Sequence, residues 1–110
     1  MEQQLFRNLH EIYDAISVIE ESLQGIGFQD YVRDRKKMIL VVENFDNVLN
    51  LLLKVPITFM EQHDEIKWQI FDELRVKFHE NEQGINEEHV WNASKQQLNK
   101  LAKFLRKILF

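Results

Sequence analysis

Residues that end helices are scarce in this sequence, which contains three glycines and one proline in 110 residues. Such a composition leaves little material for the many tight turns of a sheet protein. Apolar residues recur instead at intervals of three and four, the spacing that places side chains on one face of an α-helix. The sequence therefore predicts an all-α fold. A chain of this length forms one core, so we predict a single domain over residues 1–110.

Four helices are predicted, and short links join them. They span residues 2–24, 28–55, 64–82 and 86–110, with Gly25 and Gly27, Pro56, and Gly84 between them. Proline ends a helix because its ring removes a backbone donor, and glycine readily adopts the left-handed conformation that closes many helices. Asp64 and Asn86 are the expected caps of the last two helices. Helices joined in this way predict an antiparallel bundle of about four main helices.

Each predicted helix has an apolar face that we expect to point inward. On the second helix, this face carries Val32, Ile39, Val42, Phe45, Leu49 and Leu52. On the third helix it carries Ile66, Ile70, Leu74 and Phe78, with Trp68 anchoring the start of the helix. The segment 48–53 is apolar nearly all round, and 45% of the residues are hydrophobic. This suggests more apolar surface than one small core uses, so we predict a homodimer of two-fold symmetry.

Several kinds of functional site are excluded by the residues present. The chain has no cysteine, which rules out disulfides and thiolate metal sites. None of its four histidines has a glutamate three residues before it, as carboxylate-bridged metal bundles require. There is also no glycine-rich phosphate loop. We expect neither a metal nor a cofactor.

The N-terminal residues, MEQQLF, lack the basic region and apolar core of a signal peptide. The longest apolar run, Met38 to Val42, falls far short of the ~20 residues that a membrane span needs. We therefore expect a cytoplasmic protein with no membrane segment.

The net charge of −4 does not indicate a general nucleic-acid binder. Basic residues nevertheless cluster in two places, in Arg33–Lys37 and near the C-terminal end. The second cluster comprises Lys100, Lys103, Arg106 and Lys107, and its simplest interpretation is that cations in the last turns complement the dipole of a helix.

The segment RVKFH contains the two side chains best suited to catalysis. Arg75 and His79 are four apart, so they lie on one face of the third predicted helix, one turn from each other. A guanidinium can hold a phosphate and an imidazole can transfer a proton near neutral pH, so this pair could cleave RNA without a metal. The alternative is an ordinary charged helix end. Arg75 would then pair with Asp72 or with a carboxylate near Glu82, and by itself the segment favours that alternative.

A wider pattern of residues extends over nearly the whole chain. It comprises Asp14–Ile16, Ile19–Glu20, Phe28, Asp34–Arg35, Asn44, Pro56, Trp68, Arg75, Gly84–Asn86 and Val90–Trp91. Together these residues resemble the HepT-like family of HEPN-domain proteins, and the resemblance implies a dimeric helical bundle. It also implies the ribonuclease toxin of a toxin–antitoxin pair, encoded beside an MNT-type nucleotidyltransferase. Such proteins are also described as nucleotidyltransferase substrate-binding proteins.

The family motif is an arginine, a histidine five residues later and a tyrosine two further on. Counted from Arg75, the histidine position holds Glu80 and the tyrosine position holds Glu82, while His79 comes one residue early. In the family, the partner enzyme adenylylates this tyrosine, which a glutamate cannot replace. The motif is therefore degenerate in this chain.

Two hypotheses follow from these departures. The chain is either a HepT-like endoribonuclease that uses Arg75 with a displaced His79 as catalytic residues, or a non-catalytic HepT-like module. The module would dimerise and bind a nucleotidyltransferase or another protein partner. RNA is a partner only under the first hypothesis.

Overall fold

The computed structural model describes residues 1–79 and 86–110. In these two ranges the chain forms seven helices and no strand. They are α1 (Gln3–Leu23), α2 (Phe28–Arg33), α3 (Arg35–Leu52), α4 (Ile57–Gln62), α5 (Gln69–His79), α6 (Glu87–Lys95) and α7 (Gln97–Leu109). The predicted all-α fold is confirmed.

The first helix follows the sequence pattern closely. The Glu2 carboxylate caps its start by accepting hydrogen bonds from the backbone N–H groups of Gln4 and Leu5. The chain leaves the helix through Gly25, whose φ of +76° is readily adopted only by glycine. Its apolar stripe is buried along its whole length, at Leu5, Leu9, Ile12, Ile16, Ile19 and Leu23.

Two helix pairs run antiparallel, as their cross-contacts show. Between α1 and α7, Glu20 contacts Asn99 while Tyr13 contacts Arg106, so the residue number decreases along α1 as it increases along α7. Between α3 and α5, Leu49 contacts Arg75 and Phe45 contacts Phe78 in the same descending order. The bundle core lies between these helices, with α1 packed against both α3 and α7.

The second predicted helix is two helices, because the chain breaks at Asp34. This residue has extended backbone angles, and its side chain accepts a hydrogen bond from the Lys37 N–H to cap α3. On α3 the buried stripe runs through Val41, Phe45 and Val48. Ile39 is two residues, or about 200°, away from Val41, so it faces outward and is 48% exposed. The expectation that Ile39 points inward was wrong.

The third predicted helix begins later than expected. Asp64 does not cap it, because residues 63–68 form turns and α5 starts at Gln69. A short unpredicted helix, α4, occupies the stretch after Pro56. The expected end near Glu82, and Gly84 beyond it, lie outside the described residues.

The fourth predicted helix is likewise two helices. Asn86 caps α6 as expected by accepting a hydrogen bond from the His89 N–H. The chain then breaks at Gln96, where φ is −108° and ψ is −76°, before α7 begins. Across the bundle, the buried Tyr31 hydroxyl of α2 donates a 2.6 Å hydrogen bond to Glu87 of α6.

Candidate functional site

The helix that carries the candidate site, α5, is fixed by contacts just before its start and along its buried face. At its start the Trp68 indole Nε1 donates a 2.8 Å hydrogen bond to the carbonyl of His63. Further along, Leu74 and Phe78 are buried, and the Phe78 ring packs on Phe45 with 5.2 Å between centroids. The predicted inward face of the third helix is therefore correct at Leu74 and Phe78, with Trp68 as its anchor.

Arg75 lies on the side of α5 that borders α3. Its Nη1 atom is 2.9 Å from the Oδ1 atom of Asp72, one turn earlier on the same helix. Its Nη2 atom donates a 3.1 Å hydrogen bond to the backbone carbonyl of Leu49. The Arg75 side chain is only 20% exposed, whereas that of Asp72 is 71% exposed. The guanidinium thus faces into the bundle and bridges two helices.

The Leu49 carbonyl lies in the last turn of α3, where carbonyls lack partners within the helix. The Leu53 N–H, which would bond to this carbonyl in a continuing helix, bonds to Asn50 instead. The C-terminal end of a helix also carries partial negative charge, which favours a nearby cation. Arg75 therefore both satisfies this carbonyl and complements the end of α3.

A cavity of about 230 Å³ lies next to the guanidinium. It is bounded by Trp68, Met60 and Leu52 as well as by Asp72 and Arg75. The Arg75 Nε atom is buried and has no hydrogen-bond partner among the described residues. Both terminal nitrogens already donate to protein oxygens, so a phosphate at this position would have to compete with Asp72 and Leu49 for the guanidinium.

The structure gives the position of His79 only in part. His79 is the last residue of α5, four residues after Arg75, and its side chain lies outside the description. Glu80 and Glu82, which occupy the histidine and tyrosine positions of the family motif, also lie outside the described residues. A catalytic role for Arg75 and His79 therefore stays a prediction.

Two further features of the described residues bear on function. Residues 1–79 and 86–110 contain no group of three or more His, Asp or Glu side chains placed to hold a metal ion. Within the same ranges, no helix is both long and apolar enough to cross a membrane.

Comparison with known proteins supports the family resemblance. The chain is 27% identical over 93 residues to a protein of Thermococcus cleftensis named "Probable ribonuclease HepT", covering 84% of each chain. It is 24% identical over 101 residues to a protein of Caldanaerobacter subterraneus subsp. tengcongensis named "Putative RNase", covering 92% of this chain and 90% of the relative. The chain is thus similar over most of its length to proteins named as ribonucleases, one of them a HepT. No family model and no solved structure matches it.

Sequence reasoning identified Arg75 and its partner Asp72 but not the bond that α5 makes with α3. The i,i+3 spacing made the ion pair with Asp72 a natural candidate. The Leu49 carbonyl is a backbone group 26 residues away, and no side-chain pattern marks it. The signal that could have pointed to it is the end of an apolar helix a few residues before Pro56, which leaves carbonyls in need of donors.

Proposed function

We propose that this chain is a HepT-like component of a toxin–antitoxin pair that acts chiefly as a binding module. It would dimerise and bind an MNT-type nucleotidyltransferase, and it would cleave RNA weakly or not at all. The observation that carries this proposal is the position of Arg75. The guanidinium that the family uses at its active site is here bonded to Asp72 and to the Leu49 carbonyl.

The sequence at the motif positions supports the same conclusion. Cleavage through the 2′-hydroxyl of RNA needs a group that transfers a proton near neutral pH, and glutamate has an ordinary pKa of about 4.3, below the range that suits this exchange. Glu80 and Glu82 would also add two negative charges beside a scissile phosphate. At contact distance each such charge opposes phosphate binding by about 1 kcal/mol in water and by more in a dry site.

A second candidate function is RNA cleavage by Arg75 with His79. It is favoured by the names of the two relatives, both of which describe ribonucleases. The two residues are also one helical turn apart on the same helix. The two candidates differ in what the unmodified protein does to RNA and in whether His79 matters.

An RNA cleavage assay distinguishes the candidates. The purified wild-type protein should cleave little single-stranded RNA, and His79→Ala should change nothing. The double variant Glu80→His/Glu82→Tyr restores the family side chains. If a phosphate can displace Asp72 and the Leu49 carbonyl from the Arg75 guanidinium, this variant should raise RNA binding and recover cleavage, and both should depend on Arg75. The matched control Glu80→Gln/Glu82→Gln removes the same two charges without adding an imidazole or a phenol, and it should raise binding only.

If the wild-type protein cleaves RNA and His79→Ala abolishes the cleavage, the second candidate is correct and the proposal fails. Dimerisation has its own test, which is light scattering of the purified chain. We expect the mass of a dimer at micromolar concentration, and a monomer there would contradict the dimeric module.

A further inference from the structure

A groove of about 500 Å³ lies between the turn segment before α5 and the outer face of α7. Its apolar floor includes Ile66, Ile70 and Ile108. Its basic lining residues are Lys67, Lys100, Lys103 and Lys107, which together with this floor define what we call the lysine groove. The groove does not include Arg75, which borders a separate cavity.

The helix dipole does not explain all of these lysines. Because the chain breaks at Gln96, α7 is a separate helix that begins at Gln97. Lys107 lies in its last turn, where a cation is favourable. Lys100 instead lies in the first turn, where the dipole disfavours a cation, and Lys103 lies near the middle. The dipole interpretation of the C-terminal basic cluster is therefore wrong for Lys100.

The groove is basic in a chain that is acidic overall. The net charge of the chain is −4, yet none of its 18 acidic residues lies in the segment 89–110. Among the lining residues Glu65 is acidic, and its Oε1 atom lies 3.4 Å from the Nδ1 atom of His63. Within the described ranges none of the four lysines forms an ion pair. Four lysines that form no ion pair with a described residue thus line a groove with an apolar floor.

We infer that the lysine groove binds an acidic amphipathic helix of a protein partner. Such a helix would place its apolar side chains on the isoleucine floor and its carboxylates against the lysines, which is the helix-in-groove mode of peptide recognition. Lys100 and Lys107 are seven residues apart, or ~10 Å along α7. A partner helix lying along α7 has the same rise between its residues i and i+7, so acidic residues at that spacing can meet both lysines.

The side chains at the floor of the lysine groove favour a protein helix over RNA as its ligand. Single-stranded RNA is held in basic grooves by stacking of its bases on exposed aromatic rings. The two aromatic residues that line this groove, Phe71 and Phe104, are buried, with 4% and 7% of their surface exposed. Aliphatic side chains are well suited to contact leucine-like anchors but offer no stacking surface. The inference does not depend on RNA cleavage or on Arg75.

The test is a binding titration with labelled synthetic peptides, followed by fluorescence anisotropy. The probe is an amphipathic helical peptide with leucines at positions i, i+3, i+4 and i+7 and glutamates at most other positions. A scrambled peptide of the same composition controls for charge alone, and poly(U) RNA is the nucleic-acid probe. The protein variants are Lys103→Glu/Lys107→Glu and, as a control matched in charge, Arg35→Glu/Lys36→Glu at the exposed start of α3.

We expect the amphipathic peptide to bind the wild-type protein and the Arg35→Glu/Lys36→Glu control alike. Reversing the charges of Lys103 and Lys107 should weaken binding ~10-fold or more, because like charges would then face each other across the interface. The substituted side chains are all exposed, and circular dichroism would establish that each variant is folded.

Three results would overturn the inference. The first is equal binding of the scrambled peptide, since the apolar floor would then play no part. The second is equal binding of the peptide to the Lys103→Glu/Lys107→Glu variant. The third is binding of poly(U), and not of the peptide, in a manner that depends on Lys103 and Lys107, which would make the groove a nucleic-acid surface. These outcomes are independent of the RNA cleavage assay, which reports on Arg75 and His79.

Discussion

Replacing Arg75 by alanine should destabilise the protein, whatever the replacement does to RNA. The substitution removes a charged donor from the Leu49 carbonyl at the end of α3, and a hydrogen bond to a charged group contributes about 1.5–3 kcal/mol. It also removes the ion pair with the exposed Asp72, which contributes about 0.3–0.5 kcal/mol. We therefore expect the free energy of unfolding to fall by about 2–3.5 kcal/mol.

The assay is urea unfolding followed by circular dichroism, supported by thermal unfolding. For a domain of this size the expected loss corresponds to a fall in Tm of ~10 °C. Arg75→Lys should be intermediate, because lysine keeps the charge but lacks the forked donors that reach both partners. Asp72→Ala is the matched control, since it removes the exposed partner and leaves the Leu49 bond, and it should cost less than ~1 kcal/mol.

A different result would refute this reasoning. If Arg75→Ala changes the free energy of unfolding by less than ~0.5 kcal/mol, the range of ordinary surface substitutions, the bond to Leu49 does not hold α5 to α3. Arg75 would then be free to serve a ligand. Loss of RNA cleavage without loss of stability would support the ribonuclease candidate directly.

Two further predictions concern the packing of the bundle. Phe78→Ala should lower the free energy of unfolding in urea by ~3–5 kcal/mol, because it removes a buried ring that packs on Phe45. The control Val76→Ala, at an exposed position, should lower it by less than ~0.5 kcal/mol. Similar losses for both variants would contradict the assigned inward face of α5. Burial, and then the Glu87 carboxylate beside it, raise the pKa of the Tyr31 hydroxyl above its usual value. As the pH rises, the Tyr31 hydroxyl therefore loses its proton in the unfolded chain before it does so in the folded chain. The stability that depends on the protonated hydroxyl is present below about pH 10 and is lost as the pH rises further. Tyr31→Phe should flatten this alkaline loss when unfolding is measured at about pH 9 and about pH 11, and an unchanged pH dependence would contradict the assignment.

The sequence predicted the helices best where a long apolar stripe coincided with a clear stop. In α1 the whole apolar stripe from Leu5 to Leu23 is buried, and the chain leaves the helix through Gly25 in the left-handed conformation. The breaks at Asp34 and Gln96 carry no glycine or proline and were not predicted. At Asp34 the local signal was the aspartate itself, whose side chain caps α3, whereas Gln96 makes no side-chain cap for α7 and gives no such signal.

Some features of the candidate site could likewise be predicted from the sequence, and others could not. Arg75, His79 and the replaced motif positions were evident from the sequence because they depend on residue identity and spacing along one helix. The role of the Arg75 guanidinium was not evident, because its second partner is a backbone carbonyl on another helix.

By itself, the sequence determined the fold class, the apolar stripes and the resemblance to the HepT-like family. These depend on periodicity and on residue types, which are local properties of the chain. Only the tertiary structure decided that Arg75 is bonded to the end of α3, and that the lysines of α7 face Ile66 and Ile70 across a groove. Both arrangements join residues at least 26 positions apart, and contacts over such distances exist only once the helices have packed.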